Sequence, residues 1–199
     1  MKTNTKETIT EIALKQFSEN GYEATSMSDV ANALGITKAA LYKHFSSKRE
    51  IFEAIVKKMT KDDFERAKEY AVPENSYECI RESYKNVETE SILNFAKGQF
   101  SYWTRDEFPS LFRRMLSLEQ YRDEECRTLY RDMLVNGPVE YVGAILRESG
   151  KDEETARNLA LRLYGAMFFM YTVYDHATDK DGATREIEKY IDSLKGEFK

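Results

Sequence analysis

The sequence predicts an all-α protein in which a small N-terminal helix-turn-helix domain precedes a larger helical domain. Apolar residues recur at helical spacing through most of the 199 residues. The chain has only nine glycines and three prolines, and it lacks the regularly spaced turn residues that separate β-strands. With 41% hydrophobic and 33% charged residues, the composition is that of an ordinary folded, soluble chain. We expect residues 1–47 and 48–199 to form the two domains, with a helix over 48–70 as a shared connector.

Two helices are predicted before residue 36. Apolar positions at spacings of 3, 4 and 7 mark the first helix, and they are Ile9, Ile12, Ala13 and Phe17. This helix stops at Gly21, because glycine accepts the left-handed conformation of a helix end. Ser26, followed by Asp29 three residues later, forms a capping-box-like start for the second helix, with Val30, Ala31 and Leu34 behind it. Gly35 ends this helix.

A third and a fourth helix follow directly. Thr37 can cap the third helix, which we expect to run from Lys38 to about Phe45. Ser47, with Glu50 three residues later, forms a capping box at the start of the fourth. The apolar positions of the fourth helix are Ile51, Phe52, Ile55, Val56 and Met59.

Longer helices are predicted beyond the break at Pro73-Glu74-Asn75-Ser76. One apolar face continues roughly to Trp103 and begins with Tyr77, Ile80, Tyr84 and Val87. Pro109 opens a short helical segment, and a further stretch covers about 119–148. Since proline lacks an N–H, Gly137-Pro138 must kink or break that stretch. Helices over 153–177 and 183–198 complete the chain, the last with Ile187, Tyr190, Ile191, Leu194 and Phe198.

The third helix combines two faces with different chemistry. Ala40, Leu41 and Phe45 share the face that packs on the second helix. The opposite face carries small, basic and aromatic residues, which are Lys38, Ala39, Tyr42 and Lys43. Lysine can reach base acceptors or phosphates, alanine permits close approach, and tyrosine can bond a phosphate or stack on a thymine methyl. Lys48, with the free N–H groups of the fourth helix start, can clamp a phosphate. For each of these residues taken alone, the alternative is packing or a solvated surface charge.

Residues 9–56 resemble the DNA-binding domain of the tetracycline-repressor (TetR) family of bacterial transcription regulators. The matching stretch is "ALKQFSENGYEATSMSDVANALGITKAALYKHFSSKREIF", and "GITKAALYKHFSSK" is its most specific part. The remaining residues resemble the family in architecture only. Ala39 departs from the glycine that many members carry, although it still permits close approach.

The resemblance implies a set of DNA contacts and a ligand-responsive dimer. Base and phosphate contacts are implied at Thr37, Lys38, Ala39, Tyr42, Lys43, His44 and Lys48, with Thr25 and Ser26 near the phosphate backbone. It also implies a homodimer and a small-molecule effector that binds from about residue 48 onward. A cytoplasmic location is expected, because free cysteines fit a reducing compartment. A repressor released from a palindromic operator is the expected function. The alternatives are an activator of the same fold and a small-molecule-binding protein with no DNA role.

Charge distribution agrees with two parts that have different partners. The net charge of the chain is −5, yet residues 1–60 hold 9 lysines and arginines against 7 aspartates and glutamates. A basic excess at one end of an acidic chain is typical of a nucleic-acid-binding part joined to another part. The longest apolar runs fall short of the ~18 residues of a membrane span.

The helix over 153–177 indicates a dimer interface. Its middle, "LALRLYGAMFFMYTVY", is apolar nearly all round, which a surface helix cannot be. Pairing with the 183–198 helix and with the copies of both in a second chain would bury it as a four-helix interface. Burial within a monomer is the alternative.

Aromatic and methionine residues on several helices are candidates for an effector pocket. The candidates are Phe95, Tyr102, Trp103, Phe112, Met115, Tyr130, Met133, Tyr141, Met167, Phe168 and Tyr171. Such residues favour a largely apolar or aromatic ligand, with a structural core as the alternative. An inward-facing Glu119, Asp132 or Asp175 would favour a cationic ligand.

An enzyme, a cofactor or a metal site is not expected. His44 and His176 are the two histidines, and neither has a metal-binding partner at helical spacing. The phosphate-binding glycine motifs are missing from the sequence. Cys79 and Cys126 are isolated, and we expect them to be free thiols.

Overall fold

All regular elements that can be described are helical. The computed structural model describes residues 5–69 and 87–198, and within the helical residues 62–69 it describes the backbone only. The helices are α1 (Lys6–Asn20), α2 (Met27–Leu34), α3 (Lys38–Tyr42), α4 (Lys48–Glu69), α5 (Thr89–Arg105), α6 (Glu107–Glu119), α7 (Glu124–Tyr130), α8 (Asn136–Glu148), α9 (Glu153–His176), α10 (Lys180–Ser193) and α11 (Lys195–Phe198). A π-helical turn, Arg131–Val135, precedes α8. The predicted all-α class is confirmed.

Contacts divide the chain into two compact units. The first comprises residues 1–63 and 107–130, and the second comprises residues 64–106 and 131–199. The proposed boundary after residue 47 remains a prediction, but no sequence signal indicated that α6 and α7 would join the first unit. The predicted break at residues 73–76, Cys79 and the positions Tyr77, Ile80 and Tyr84 lie outside the described residues.

The core of the first unit forms where α1 packs against α2 and α6. Ile9, Ala13 and Phe17 are buried as predicted, whereas Ile12 is half-buried at the edge of that face. The other fully buried side chains of this core include Leu14, Val30, Leu41, Ile51, Phe52, Ile55, Met59, Phe112 and Met115. The short helices are therefore held by tertiary packing, because so few turns are marginal alone.

The second unit is built around α9, which packs against α5, α8 and α10. Phe100 on α5 stacks on Tyr171 with ring centroids 5.4 Å apart and meets Tyr174 edge-on at 6.0 Å. The predicted last helix is interrupted at Leu194, which ends α10 before the short α11. Both pieces bury their apolar positions, including Ile187, Ile191 and Phe198.

The predicted interruption at Gly137-Pro138 takes the form of the π-helical turn. Pro138 itself sits in the first turn of α8, where its missing N–H costs no intrahelical bond. Gly137 lies against the backbone of Asp132, and a Cβ at this position would overlap the Asp132 carbonyl oxygen. A side chain at residue 137 therefore requires the turn to shift.

Gly137→Ala is expected to destabilise the protein by about 1–3 kcal/mol, because backbone must move to admit the methyl group. Gly143→Ala on the same helix is the matched control. Its Cβ would meet only the Arg147 side chain, at an ordinary 3.7 Å. We expect the control to be neutral or stabilising by up to about 1 kcal/mol, since alanine is the better helix former. Urea unfolding of both variants measures the difference, and equal stabilities would contradict the close approach.

Candidate nucleic-acid interface

The turn between α2 and α3 forms as the capping residues predict. Ser26 Oγ accepts the Asp29 N–H at 3.3 Å while Asp29 Oδ2 accepts the Ser26 N–H at 2.8 Å, which completes a capping box. Gly35 ends α2 in the left-handed conformation, with φ 68° and ψ 30°. Thr37 Oγ1 then accepts the Ala40 N–H at 3.1 Å and starts α3. Local capping therefore fixes where the third helix begins.

Helix α3 is shorter than predicted, because it ends at Tyr42 and not near Phe45. The N–H groups of His44 and Phe45 both bond to the Leu41 carbonyl, at 3.0 and 3.1 Å, as the chain leaves the helix. Phe45 turns into the core and is buried. The prediction that α3 continues to Phe45 was wrong. The chain must bend after Tyr42 so that Phe45 is buried and α4 can begin at Lys48.

The two predicted faces of α3 differ in exposure as expected, except that Ala40 on the packed face is only half-buried. Lys38, Ala39 and Lys43 are exposed, and Tyr42 is 45% exposed. Leu41, between them, is completely buried. The Lys38 ammonium lies 5.9 Å from the centroid of the Tyr42 ring, so positive charge and aromatic surface lie together. Such a surface can contact phosphates and base edges together.

The flanking residues differ in how far they are open to a partner. Thr37 is exposed and His44 is half-buried. Ser26 is exposed, but its hydroxyl is used in the capping box, where it also bonds Asp29 Oδ2 at 2.6 Å. Thr25 is buried, and its hydroxyl donates to the Gly21 carbonyl at 2.8 Å. Its side chain therefore holds the preceding turn, and its implied place near phosphates remains a prediction.

Lys48 has an internal role that the sequence did not reveal. Its ammonium donates to the carbonyl oxygens of Tyr22 and Glu23, at 2.6 and 3.1 Å, and lies 4.4 Å from the centroid of the Tyr22 ring. Two of its three N–H donors are thus used within the protein, so at most one is left for a phosphate. The predicted phosphate clamp is compatible only with that remaining donor.

Two carboxylates hold the starts of α2 and α4. Hydrogen bonds from the side chain and backbone of Ser26 lower the pKa of Asp29. The backbone and side chain of Ser46 likewise lower the pKa of Glu50. Ser47 Oγ accepts the Glu50 N–H at 3.1 Å, so half of the predicted capping box is present, but the Glu50 carboxylate bonds Ser46 and not Ser47. Both caps are therefore made by ionised carboxylates at neutral pH.

The predicted effector residues are divided between the two units. Phe112, Met115 and Tyr130 belong to the first unit, and the others belong to the second. In the second unit Phe95, Tyr102, Trp103, Met167 and Tyr171 are buried, and Met133 and Tyr141 are half-buried. Phe168 is 40% exposed on α9.

Two surface grooves are lined by other residues. A groove of about 520 Å³ in the first unit includes Lys6, Glu50 and Lys58, and one of about 250 Å³ in the second includes Arg105 and Asp181. Charged side chains line both grooves, and the first also includes Phe45 and Ala54. The three acidic candidates for a cationic ligand also separate, because Glu119 is buried in the first unit, Asp132 is exposed beside Arg131, and Asp175 is half-buried.

Residues 5–69 and 87–198 contain neither a candidate metal centre nor a candidate membrane span. No group of three potential metal ligands occurs there, and His176 is exposed with Nδ1 2.9 Å from the Thr172 carbonyl oxygen. Within the same ranges, no helix is long and apolar enough to cross a membrane. Cys126 is a free, buried thiol whose pKa is raised by that burial and by Asp123.

Comparison with known proteins finds a family that resembles the region containing α1 to α3. Residues 9–55 match the family model of bacterial regulatory proteins of the tetR family. The biofilm-operon negative transcriptional regulator IcaR of Staphylococcus aureus strain Newman is 46% identical over 52 residues, which are 26% of this chain and 28% of IcaR. Residues 9–55 are therefore similar to the DNA-binding region of TetR-family regulators. The family consists of transcriptional regulators and not enzymes, in agreement with the sequence analysis.

Solved structures extend the likeness from the DNA-binding region to the whole fold. PfmR from Thermus thermophilus is 26% identical, with a TM-score of 0.60 over 97% of this chain and 96% of PfmR. AibR, solved with isovaleryl coenzyme A and operator DNA, is 17% identical, with a TM-score of 0.62 over 93% of this chain and 96% of AibR. The second likeness shows the fold alone.

Proposed function

We propose that this protein is a cytoplasmic, DNA-binding transcriptional repressor of the TetR family. The observation that carries the proposal is the exposed face of α3, with Lys38, Ala39, Tyr42 and Lys43 around a buried Leu41. A short helix that is anchored on one side and basic on the other can enter a major groove N-terminus first. The naming of IcaR as a negative regulator supports repression over activation.

The proposed DNA contacts follow from the position of each side chain. Lys38, at the start of α3, is placed to reach base acceptors, and Ala39 beside it lets the helix approach the base edges. Tyr42 and Lys43, at the other end of α3, contact phosphates, and Thr37 and His44 flank them. Ser26 and Lys48 contribute from the edges of the helix-turn-helix, and Thr25 does so through its hold on the preceding turn.

A homodimer presents two such helices to the operator. Its support is an exposed apolar face on α9, where Leu161, Phe168 and Phe169 are 43%, 40% and 66% exposed. The apolar support comes from α9 alone, because the exposed residues of α10 are polar or charged, including Arg185, Glu186 and Lys189. Pairing of α9, α10 and α11 with their copies buries the apolar face, as predicted for residues 153–177 and 183–198. Two α3 helices about 34 Å apart then meet successive major grooves of a palindromic site.

A small, largely apolar or aromatic effector releases the protein from DNA in this proposal. Its support is the set of buried aromatic residues in the second unit, together with the small molecule and operator DNA bound to AibR. The effector changes operator affinity only as far as it prefers one state of the dimer over the other. The helix that runs from Lys48 to Glu69 spans both units and is the expected lever.

Selection of bound fragments tests the DNA role directly. The purified protein is mixed with random and genomic DNA fragments at low salt without a small molecule, and bound fragments are sequenced. Enrichment of one near-palindromic sequence is expected. Failure to enrich any sequence would favour a small-molecule-binding protein with no DNA role, and the position of enriched sites relative to promoters separates a repressor from an activator.

Lys43→Ala is expected to weaken binding to all DNA sequences and to flatten its dependence on salt. Each neutralised phosphate contributes roughly 0.9 to the slope of log K against log salt, so a dimer should lose about two units. Lys15→Ala, which removes an exposed lysine of α1, is the matched control. Titrations at several salt concentrations measure both slopes, and equal slopes would remove Lys43 from the phosphate contacts.

A further inference from the structure

Glu119, the last residue of α6, places a carboxylate in the core of the first unit. It is 0% exposed. One oxygen, Oε1, accepts the backbone N–H of Tyr22 at 3.0 Å, while Oε2 is buried and has no hydrogen-bond partner in the described part of the chain. Burying a carboxylate is costly unless its bonds serve a purpose. An apolar side chain of similar length would fill the same space without the free-energy cost of desolvating a carboxylate. The bond to the Tyr22 N–H is the contact that only the carboxylate makes.

The turn that Glu119 holds is shaped around the carboxylate. Gly21 has φ 91°, and a Cβ there would lie 2.6 Å from Glu119 Oε1. The carboxylate thus occupies the space into which any other side chain at residue 21 would project. Tyr22 is fixed on the other side, since its ring meets Phe17 edge-on at 5.1 Å and Phe52 at 5.0 Å.

Both ends of the helix-turn-helix are tied to this same turn. The Thr25 hydroxyl bonds the Gly21 carbonyl, directly before the Ser26 cap of α2. The Lys48 ammonium, at the first residue of α4, bonds the Tyr22 carbonyl. The segment between them, residues 26–47, contains α2 and α3. The orientation of α3 therefore depends on where the Gly21–Tyr22 turn is held.

We propose that Glu119 is a positioning residue for the DNA-contacting helix α3. Glu119 holds the turn through the Tyr22 N–H, and the turn is itself bonded by Thr25 and Lys48. Glu119 makes no contact with DNA itself in this proposal. The inference rests on the proposed DNA-binding function and adds a residue that lies 97 positions after Tyr22 in the sequence.

Glu119→Gln and Glu119→Met in the full-length protein test the inference. Glutamine keeps a carbonyl acceptor for the Tyr22 N–H, whereas methionine keeps the length and loses the acceptor. For a DNA fragment enriched by the selection, we expect Glu119→Gln to bind within about threefold of the unmodified protein. Glu119→Met should bind about tenfold more weakly or worse, since the buried N–H is left without its bond. Hydrogen exchange in the peptide that contains Tyr22 should rise in Glu119→Met only.

Phe112→Leu is the matched control, because it trims a buried side chain of the same helix without touching Glu119. We expect it to lower the unfolding temperature and to keep the DNA affinity. Unchanged affinity in Glu119→Met, or an equal loss in Phe112→Leu, would overturn the positioning role. If Glu119→Met does not fold, Glu119→Leu takes its place, since leucine also lacks the acceptor for the Tyr22 N–H, and the same loss of affinity is expected.

Failure of this inference can be told apart from failure of the proposed function. If the unmodified protein enriches no DNA, the DNA role fails. The exchange of the Tyr22 peptide in the two Glu119 variants still decides whether Glu119 holds the turn. If the unmodified protein binds DNA and the variants bind it equally, only the positioning role is lost.

Discussion

Replacement of Tyr42 by alanine is expected to weaken specific operator binding strongly while leaving the dimer intact. Tyr42 is the last residue of α3 and exposes 45% of its surface, so its removal disturbs no core. The Lys38 ammonium also loses the ring that it faces at 5.9 Å. A contact of this kind is worth about 1–2 kcal/mol at one half-site, and a dimer loses it twice. The operator affinity should therefore fall about 30-fold or more.

Tyr121→Ala is the matched control for this experiment. Tyr121 is an even more exposed tyrosine, at 82%, in the same unit but outside the helix-turn-helix. Gel-shift titration should separate the two variants, and sedimentation should find the same mass for both. If Tyr42→Ala binds the operator as tightly as the control does, α3 is not the DNA-contacting helix.

The helix-turn-helix could be predicted because its signals are local. Caps at Ser26 and Thr37 and the glycine at residue 35 each act within four residues of the helix end that they define. The alternation of Leu41 with exposed neighbours likewise requires only helical periodicity. The error in the length of α3 arose where a tertiary demand, the burial of Phe45, outweighed the local pattern.

The partners of buried residues could not be predicted, because periodicity says that a residue is buried but not what it meets. Glu119 is a sequence candidate for a cationic ligand, yet its carboxylate meets a backbone N–H 97 positions earlier in the chain. Lys48 is predicted to face phosphate, and most of its donors bind carbonyls 25 and 26 positions away. The effector candidates are likewise divided between the two units. No pattern in the sequence near α6 indicates that this helix belongs to the first unit.

Phe169→Asp is expected to convert the dimer to a monomer. Phe169 is 66% exposed and shares one face of α9 with Leu161, Gly165, Phe168 and Thr172. In a two-fold interface each substitution occurs twice, so two buried rings are lost and two charges must be desolvated. A loss of about 2 kcal/mol or more for each ring alone raises the dimer dissociation constant about 1,000-fold. Sedimentation over a range of concentrations measures the change.

The consequence for DNA binding distinguishes a functional interface from an incidental one. A monomer carries a single α3, so it should retain weak, salt-sensitive binding and lose the preference for two correctly spaced half-sites. Leu118→Asp is the matched control, since Leu118 is an exposed apolar residue of the first unit, outside the α9 face. If Phe169→Asp remains a dimer, the α9 face is not the interface, and the two recognition helices must be paired through another surface. If it becomes a monomer yet still prefers the palindrome, spacing of the half-sites is not set by this pairing.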